Sequence, residues 1–185
     1  MNLKTWCENL QQLLTDKQEH FEVMVHKETE VAYGWDEDFN KKYCDEHNIP
    51  YYAQKRDGGT IICAKGNIGI AFVYNNQKYK KWMLVKLLDD LCNYFIQRGL
   101  KATRSRNDIL IDGYKVASGC GYNLEPDYKW SYEGAQISIN QDINAIKNIC
   151  LKPMIKIPKA LSDYNITLDE LLNFIDSWKK ENLYA

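Results

Sequence analysis

The sequence predicts an α+β fold, a mixed sheet covered by helices, on three observations. One long stretch carries an apolar stripe at helical spacing. Several short β-branched runs are set off by Gly-Asn and Asp-Gly pairs. Helices and strands do not alternate regularly, as a βαβ fold would require. Neither internal repeats nor Pro/Gly/Ser linkers interrupt the chain, so one domain over residues 1–185 is expected.

The elements follow in order. Leu3, Trp6, Cys7, Leu10, Leu13 and Leu14 fall at helical spacing and predict an amphipathic first helix. Phe21, Val23 and Val25 alternate before Val31-Ala32-Tyr33, which reads as a hairpin. Asp38 to His47 is polar and helix-compatible, and Pro50 closes it. Thr60–Ala64 and Ile68–Tyr74 are β-branched runs around a Gly66-Asn67 turn. The strongest helix runs from about Lys80 to Arg98, where Leu84, Leu87, Leu88, Leu91 and Phe95 make one stripe and Gly99 supplies the stop. Asp108–Ile111 and a strand opening at Tyr114 are joined by a tight Asp112-Gly113 turn. Ala135–Ile139 is a further strand. Helices follow at about Ile143–Cys150 and Leu168–Lys180, the second with Thr167 and Glu170 spaced as a capping box.

Composition narrows the function classes. Lys+Arg number 24 against 25 Asp+Glu, a net charge of -1, which leaves no electrostatic footprint for nucleic acid or an anionic membrane. No apolar run approaches the ~18 residues of a membrane helix. Met1-Asn2-Leu3-Lys4 leads straight into a charged amphipathic stretch, so no signal peptide and a cytoplasmic location are expected. The cysteines, at 7, 44, 63, 92, 120 and 150, form no CxxC pair; reduced thiols are expected rather than a zinc site. His20, His26 and His47 lack metal-ligand spacing, and each is expected on the surface.

Three segments carry candidate chemistry. Gly58-Gly59, after the basic Lys55-Arg56, reads either as a hairpin turn or as backbone that can approach a ligand and cradle its oxygens. Asp108 and Lys115, on strands paired across the Asp-Gly turn, read either as a solvated surface ion pair or as a carboxylate for metal and an ammonium for developing negative charge. In Ser118-Gly119-Cys120-Gly121, the glycines suggest a strand passing close to something bulky, and the cysteine reads as a small buried residue unless a cation depresses its pKa.

Taken together, the segments resemble the lipoate–protein ligases and their octanoyl-transferase relatives. Gln54-Lys55-Arg56-Asp57-Gly58-Gly59-Thr60-Ile61-Ile62-Cys63-Ala64-Lys65-Gly66-Asn67 is similar to that family's basic pair, glycine run, strand and Gly-Asn. Arg106-Asn107-Asp108 followed by Gly113-Tyr114-Lys115-Val116-Ala117-Ser118-Gly119 resembles its Arg-Asn-Asp, strand and Gly-x-Lys-Ile-Ser-Gly. Tyr132 to Asp142 is a weaker match to its His-Gly strand ending in Asp. The resemblance implies the biotin/lipoate ligase type of α+β fold, here without the accessory C-terminal domain many of these ligases carry. It implies activation of lipoate or octanoate by ATP and Mg2+ as an acyl-AMP, then transfer to a lysine of a lipoyl carrier domain. By this carry-over Lys115 would contact the acyl carbonyl and α-phosphate, and Asn107 and Asp108 would handle phosphate and magnesium. Arg56, Gly58, Gly59, Asn67, Ser118 and Gly119 would line the nucleotide and acyl groove.

The chain departs from the pattern at three positions. Asp57 replaces the first of three glycines and adds a carboxylate where phosphate would sit. Cys63 replaces a histidine. Ala117 is an extra residue, which turns the following side chains to the opposite face unless the strand bulges. Lys115-Val116-Ala117-Ser118-Gly119 also resembles the Lys-Ile-Ala-Ser-Leu-Gly stretch of octanoyl transferases. Three readings follow: an ATP-dependent ligase, an ATP-independent transferase with Cys150 (less readily Cys120 or Cys63) as acyl-enzyme nucleophile, or a ligand-binding protein that has lost catalysis.

Overall fold

The computed structural model describes residues 2–34, 38–53, 60–78, 83–123 and 129–183. In chain order the elements are α1 (Leu3–Thr15), β1 (His20–Val25), β2 (Glu30–Tyr33), α2 (Lys41–Glu46), β3 (Tyr51–Ala53), β4 (Ile61–Cys63), β5 (Ile68–Asn75) and α3 (Met83–Gln97). There follow β6 (Ala102–Ser105), β7 (Asp108–Ile111), β8 (Tyr114–Asn123), β9 (Trp130–Ile137), α4 (Ile143–Ile149), a 3-10 turn at Leu161–Tyr164, and α5 (Leu168–Leu183). Six strands make one antiparallel sheet in the order β1-β5-β9-β8-β7-β6; β3-β2-β4 make a second, smaller sheet. In the smaller sheet β2 runs parallel to β3 and antiparallel to β4. The fold is α+β as expected, with its strands divided between two sheets rather than gathered in one.

Two expected strand pairings are corrected by that division. β1 does not form a hairpin with β2; it pairs with β5, while β2 belongs to the small sheet. Two backbone bonds explain why: His26 N donates to Asn67 O (3.0 Å) and Gly66 N to His26 O (2.8 Å), locking the end of β1 to the start of β5. The chain then crosses between sheets at residues 27–29. The Gly66-Asn67 turn is present, but its flanking strands β4 and β5 lie in different sheets. Val31 and Ala32 are buried in two different apolar clusters, so β2 has no solvent face whose alternation would reveal its partner.

The helices match expectation closely. α3 buries Leu84, Leu87, Leu88, Leu91 and Phe95 against one face of the large sheet, and Leu171, Ile175 and Trp178 of α5 join the same core. Glu133 of β9, itself buried, accepts a hydrogen bond from Leu84 N (2.7 Å) and so ties α3 to the sheet. The capping box of α5 is formed in both directions: Thr167 N donates to Glu170 Oε2 (2.9 Å), and Glu170 N donates to Thr167 Oγ1 (3.2 Å). We expect Thr167→Ala to lower stability by about 1 kcal/mol, read as a shift of a few degrees in Tm without loss of secondary structure by circular dichroism.

On the other face, α1 packs Leu3, Trp6, Leu10 and Leu14 over β5, with the small sheet beside it. At β7 and β8 that face carries no helix among the described residues.

Candidate functional site

Side-chain alternation fixes what the uncovered face presents. Ile109, Ile111, Val116, Ala117, Ala135 and Ile137 all enter the α3/α5 core. Leu110, between two core residues, therefore points the other way, and its partner across the ladder is Lys115. Asp108 and Gln136 flank Ser118 in register, and Cys120 lies opposite Gly134. The floor of the site is thus Asp108, Leu110, Lys115, Ser118, Cys120 and Gln136.

Two backbone features make this floor. Asp112 and Gly113 both have positive φ, 50° and 83°, the requirement of a two-residue hairpin turn of the I′ type, which sets the β7/β8 register. Past Lys115 the register shifts between Ile109 and Leu110, so that Val116 is an extra residue on β8. Val116 and Ala117 are consecutive and both buried, the signature of the bulge. The inserted residue is absorbed there, and Lys115 and Ser118 remain on one face.

Gly119 turns away from this face. A Cβ there would meet Leu84 Cδ1 and Cδ2 at 2.8 Å, so its missing side chain lets α3 approach the strand. Its N–H donates to Asn107 O (2.8 Å), and Asn107 itself sits in the exposed turn between β6 and β7 with Arg106 at φ 56°. Asn67 is buried and committed: its side-chain oxygen accepts from Ile139 N at 3.1 Å, joining the start of β5 to the end of β9. Asp142, the last residue of the weaker motif, caps α4 by accepting from Asn144 N (2.9 Å) and Ala145 N (3.0 Å). Arg56, Asp57, Gly58 and Gly59 lie outside the described residues.

The expected Asp108–Lys115 pairing is not what forms. Asp108 Oδ2 accepts from Lys156 Nζ at 2.6 Å, and the same ammonium donates to Ser105 Oγ at 3.0 Å. Lys156 belongs to a strap, residues 150–159, that runs alongside β8: Lys115 N donates to Ile157 O, and Lys159 N to Lys115 O, each at 2.9 Å. Sequence reasoning missed Lys156 because it lies 48 residues from its acid in a segment with no periodic pattern. The strap also starts at Cys150, whose backbone bridges to Phe39. Burial pushes the Cys150 thiol up, and the Lys115 ammonium pulls it the other way without reversing the shift. Cys150 closes the C-terminal end of α4, the wrong end of a helix to stabilise a thiolate.

A second polar cluster sits beside the floor. The Gln136 amide donates to Cys63 Sγ at 3.2 Å and approaches His26 Nε2 at 2.9 Å, linking β9 to the small sheet and to the end of β1. Cys63 is completely buried, and burial raises its thiol well above the ordinary range. His26 is 2% exposed, which corrects the expectation of a surface histidine. It meets Trp6 edge-on at 6.3 Å. No partner for its Nδ1 is found among the described residues. Burial lowers its pKa to about 4, the Gln136 contact opposing only in part.

That shift has a sign. Above pH 6.5 the ring is neutral folded or unfolded. As pH falls, the unfolded chain takes a proton near 6.5 and the folded one not until about 4, so stability drops across that window. The full loss amounts to about 3 kcal/mol. Glu30 and Glu133, whose pKa values burial raises, work in the opposite sense. The expected result is that His26→Gln flattens the decline in urea midpoint between pH 7 and 4.5 relative to the parent chain.

The two-sheet α+β fold has clear counterparts. Residues 11–175 match the family model of the lipoyl protein ligase A/B catalytic domain, and the chain belongs to that family. No curated protein matches the sequence. Among solved structures, a bi-partite lipoate protein ligase from Thermoplasma acidophilum superimposes with a TM-score of 0.76 at 14% identity, over 100% of this chain and 81% of that one. P. falciparum LipL1 in complex with lipoate gives 0.76 at 17% identity, over 97% of this chain and 59% of that one. A lipoate-protein ligase A bound with ATP gives 0.78 at 13% identity, over 99% and 81%. These likenesses establish the shared fold. No helix among the described residues is long and apolar enough to cross a membrane.

Proposed function

We propose that this chain is a lipoate– or octanoate–protein ligase that activates its acid as an acyl-adenylate and passes it to a lysine of a lipoyl carrier domain. The observation that carries this reading is the presentation of Lys115 on the face of the large sheet that carries no helix among the described residues, opposite Leu110 and with its backbone held by the strap. The solved relatives add support: one is a lipoate protein ligase studied with its E2 lipoyl domain, one holds lipoate and one holds ATP.

In the first step a carboxylate oxygen attacks the α-phosphorus of ATP and pyrophosphate leaves. Negative charge builds on the α-phosphate, and Lys115, a compact ammonium with three rotatable donors, neutralises it. In the second step a carrier lysine attacks the acyl carbonyl, AMP leaves, and the new amide nitrogen gives up a proton. Lys115 then stabilises the developing oxyanion. Ser118, on the same face, offers a neutral donor. Asp108 is the carboxylate that would hold a magnesium ion brought in with ATP, which needs only one or two protein carboxylates beside the phosphates and would supply charge neutralisation there. In this structure Asp108 Oδ2 is engaged by Lys156. Unbridged thiols throughout the described chain suit a reducing compartment, and we read residues 1–185 as one catalytic domain.

A transferase reading is favoured by one observation, the placement of Cys150 within electrostatic reach of Lys115. Its position at a helix C-terminus and its raised pKa count against it. Intact-protein mass spectrometry separates the two. The ligase adds the acyl mass to a lipoyl domain only when MgATP is present, and Cys150→Ser retains it. A thiol-linked acyl mass on this chain, formed from an acyl-carrier donor without ATP and lost in Cys150→Ser, would replace the ligase reading with the transferase.

A further inference from the structure

Large apolar side chains exposed among the described residues are few, and they concentrate in one place. Ile155 is 99% exposed, Leu151 60% and Ile157 48%, and Tyr114 lies beside them at the start of β8. This apolar ridge is held in place rather than dangling. Cys150 bridges to Phe39, Lys152 pairs with Asp38, Lys156 pairs with Asp108, and Ile157 and Lys159 bond the backbone of Lys115 on both sides.

The same stretch is one-sided in charge. Residues 143–162 contain Lys147, Lys152, Lys156 and Lys159 and no acidic residue, in a chain whose total is nearly neutral. Asp142 and Asp163 bound the stretch on either side, and Asp38 and Asp108 pair with Lys152 and Lys156, so the excess of positive charge lies along the strap itself. An anchored apolar ridge in a basic surround fits a protein with a small apolar patch and an acidic rim. It borders Lys115, where any acceptor lysine must arrive.

We infer that the strap is the docking surface for the acceptor, a carrier protein bearing carboxylates around its target lysine. This rests on the acyl-transfer reading of the site and adds which surface selects the partner. The ridge contributes contact area, and the lysines steer and orient the carrier.

The test uses Ile155→Ser alone and combined with Lys147→Glu, exposed positions outside the floor of the site and outside the contacts that anchor the strap. Two reactions are compared at saturating ATP and acid: trapping of the activated acyl group by hydroxylamine, and transfer to a lipoyl domain. Hydroxamate formation is expected to stay at the parental rate, while kcat/KM for the lipoyl domain falls about tenfold or more, through KM. Raising the salt should weaken parental transfer and leave trapping untouched. Direct binding of the lipoyl domain to parent and variants supplies a readout that needs no turnover, so an inactive parent would overturn the catalytic reading without touching the docking one. Docking is overturned if trapping and transfer fall together, if transfer and binding are unchanged, or if sedimentation shows that Ile155→Ser merely splits a dimer of this chain.

Discussion

Replacing Lys115 with alanine is expected to abolish carrier acylation, lowering kcat/KM by about 10²–10³-fold or more, the range for removing a preorganised donor from developing negative charge. The backbone there is pinned by two bonds to the strap, so truncation should leave the fold intact and Tm near the parental value. Lys115→Arg should not rescue the rate. A guanidinium is wider, planar and directional, whereas the proposed mechanism asks one compact charge to serve phosphate in one step and carbonyl oxygen in the next. Single-turnover mass spectrometry of the lipoyl domain reads the effect. Full activity in Lys115→Ala would remove the residue from the mechanism and with it the reading of the uncovered face as the active site.

The largest stability effect should come from Phe95→Ala. Phe95 is wholly buried on α3, in the cluster that also holds Phe72, Leu91 and Trp178. Deleting a buried phenyl ring costs about 3–5 kcal/mol through lost transfer energy and the cavity left behind. For a chain of this size that is roughly 6–20 °C in Tm. Ile96, its half-exposed neighbour on the same helix, serves as the control, since Ile96→Ala should change stability by about 0.5 kcal/mol or less. Urea denaturation would show whether the midpoint moves without a change in slope, as expected if only the folded state is affected.

Much of the architecture was legible because it is local. The stripe on α3, the Asp112-Gly113 turn and the Thr167–Glu170 box each declare themselves within a few residues, and each is found where the spacing places it. Strand partnership was not legible. β1 and β2 are adjacent in sequence yet belong to different sheets, because the bonds that part them come from Gly66 and Asn67, far along the chain. In the site, the linear motif located Asp108, Lys115 and Ser118 on one surface, since all three lie on a single hairpin. It could not give the acid's partner: Lys156 arrives on a strap whose course is set by tertiary bonds. Nor could it show that Asn67 and Gly119 serve packing, as Ile139 and Leu84 are their neighbours only in space. His26 was misjudged for a related reason. A histidine just past the end of a strand and followed by Lys27 and Glu28 carries no mark of the tryptophan and glutamine that enclose it.

The extra residue at Val116 has a bearing on how this chain tolerates change. Lys115 and Ser118 are an odd number of positions apart, so an unbroken β-strand would send them to opposite sides. The bulge acts as a phase shifter, resetting parity between the two. Substitution at Val116 is a question of volume, but deletion is a question of parity: removing one residue would invert one flank of β8 relative to the other. Either the ammonium would be driven toward the α3 side with no counter-charge, or Ser118 would be lost from the floor and Gly119 would no longer face Leu84. Length between these two positions, more than identity, is the quantity the site cannot give up.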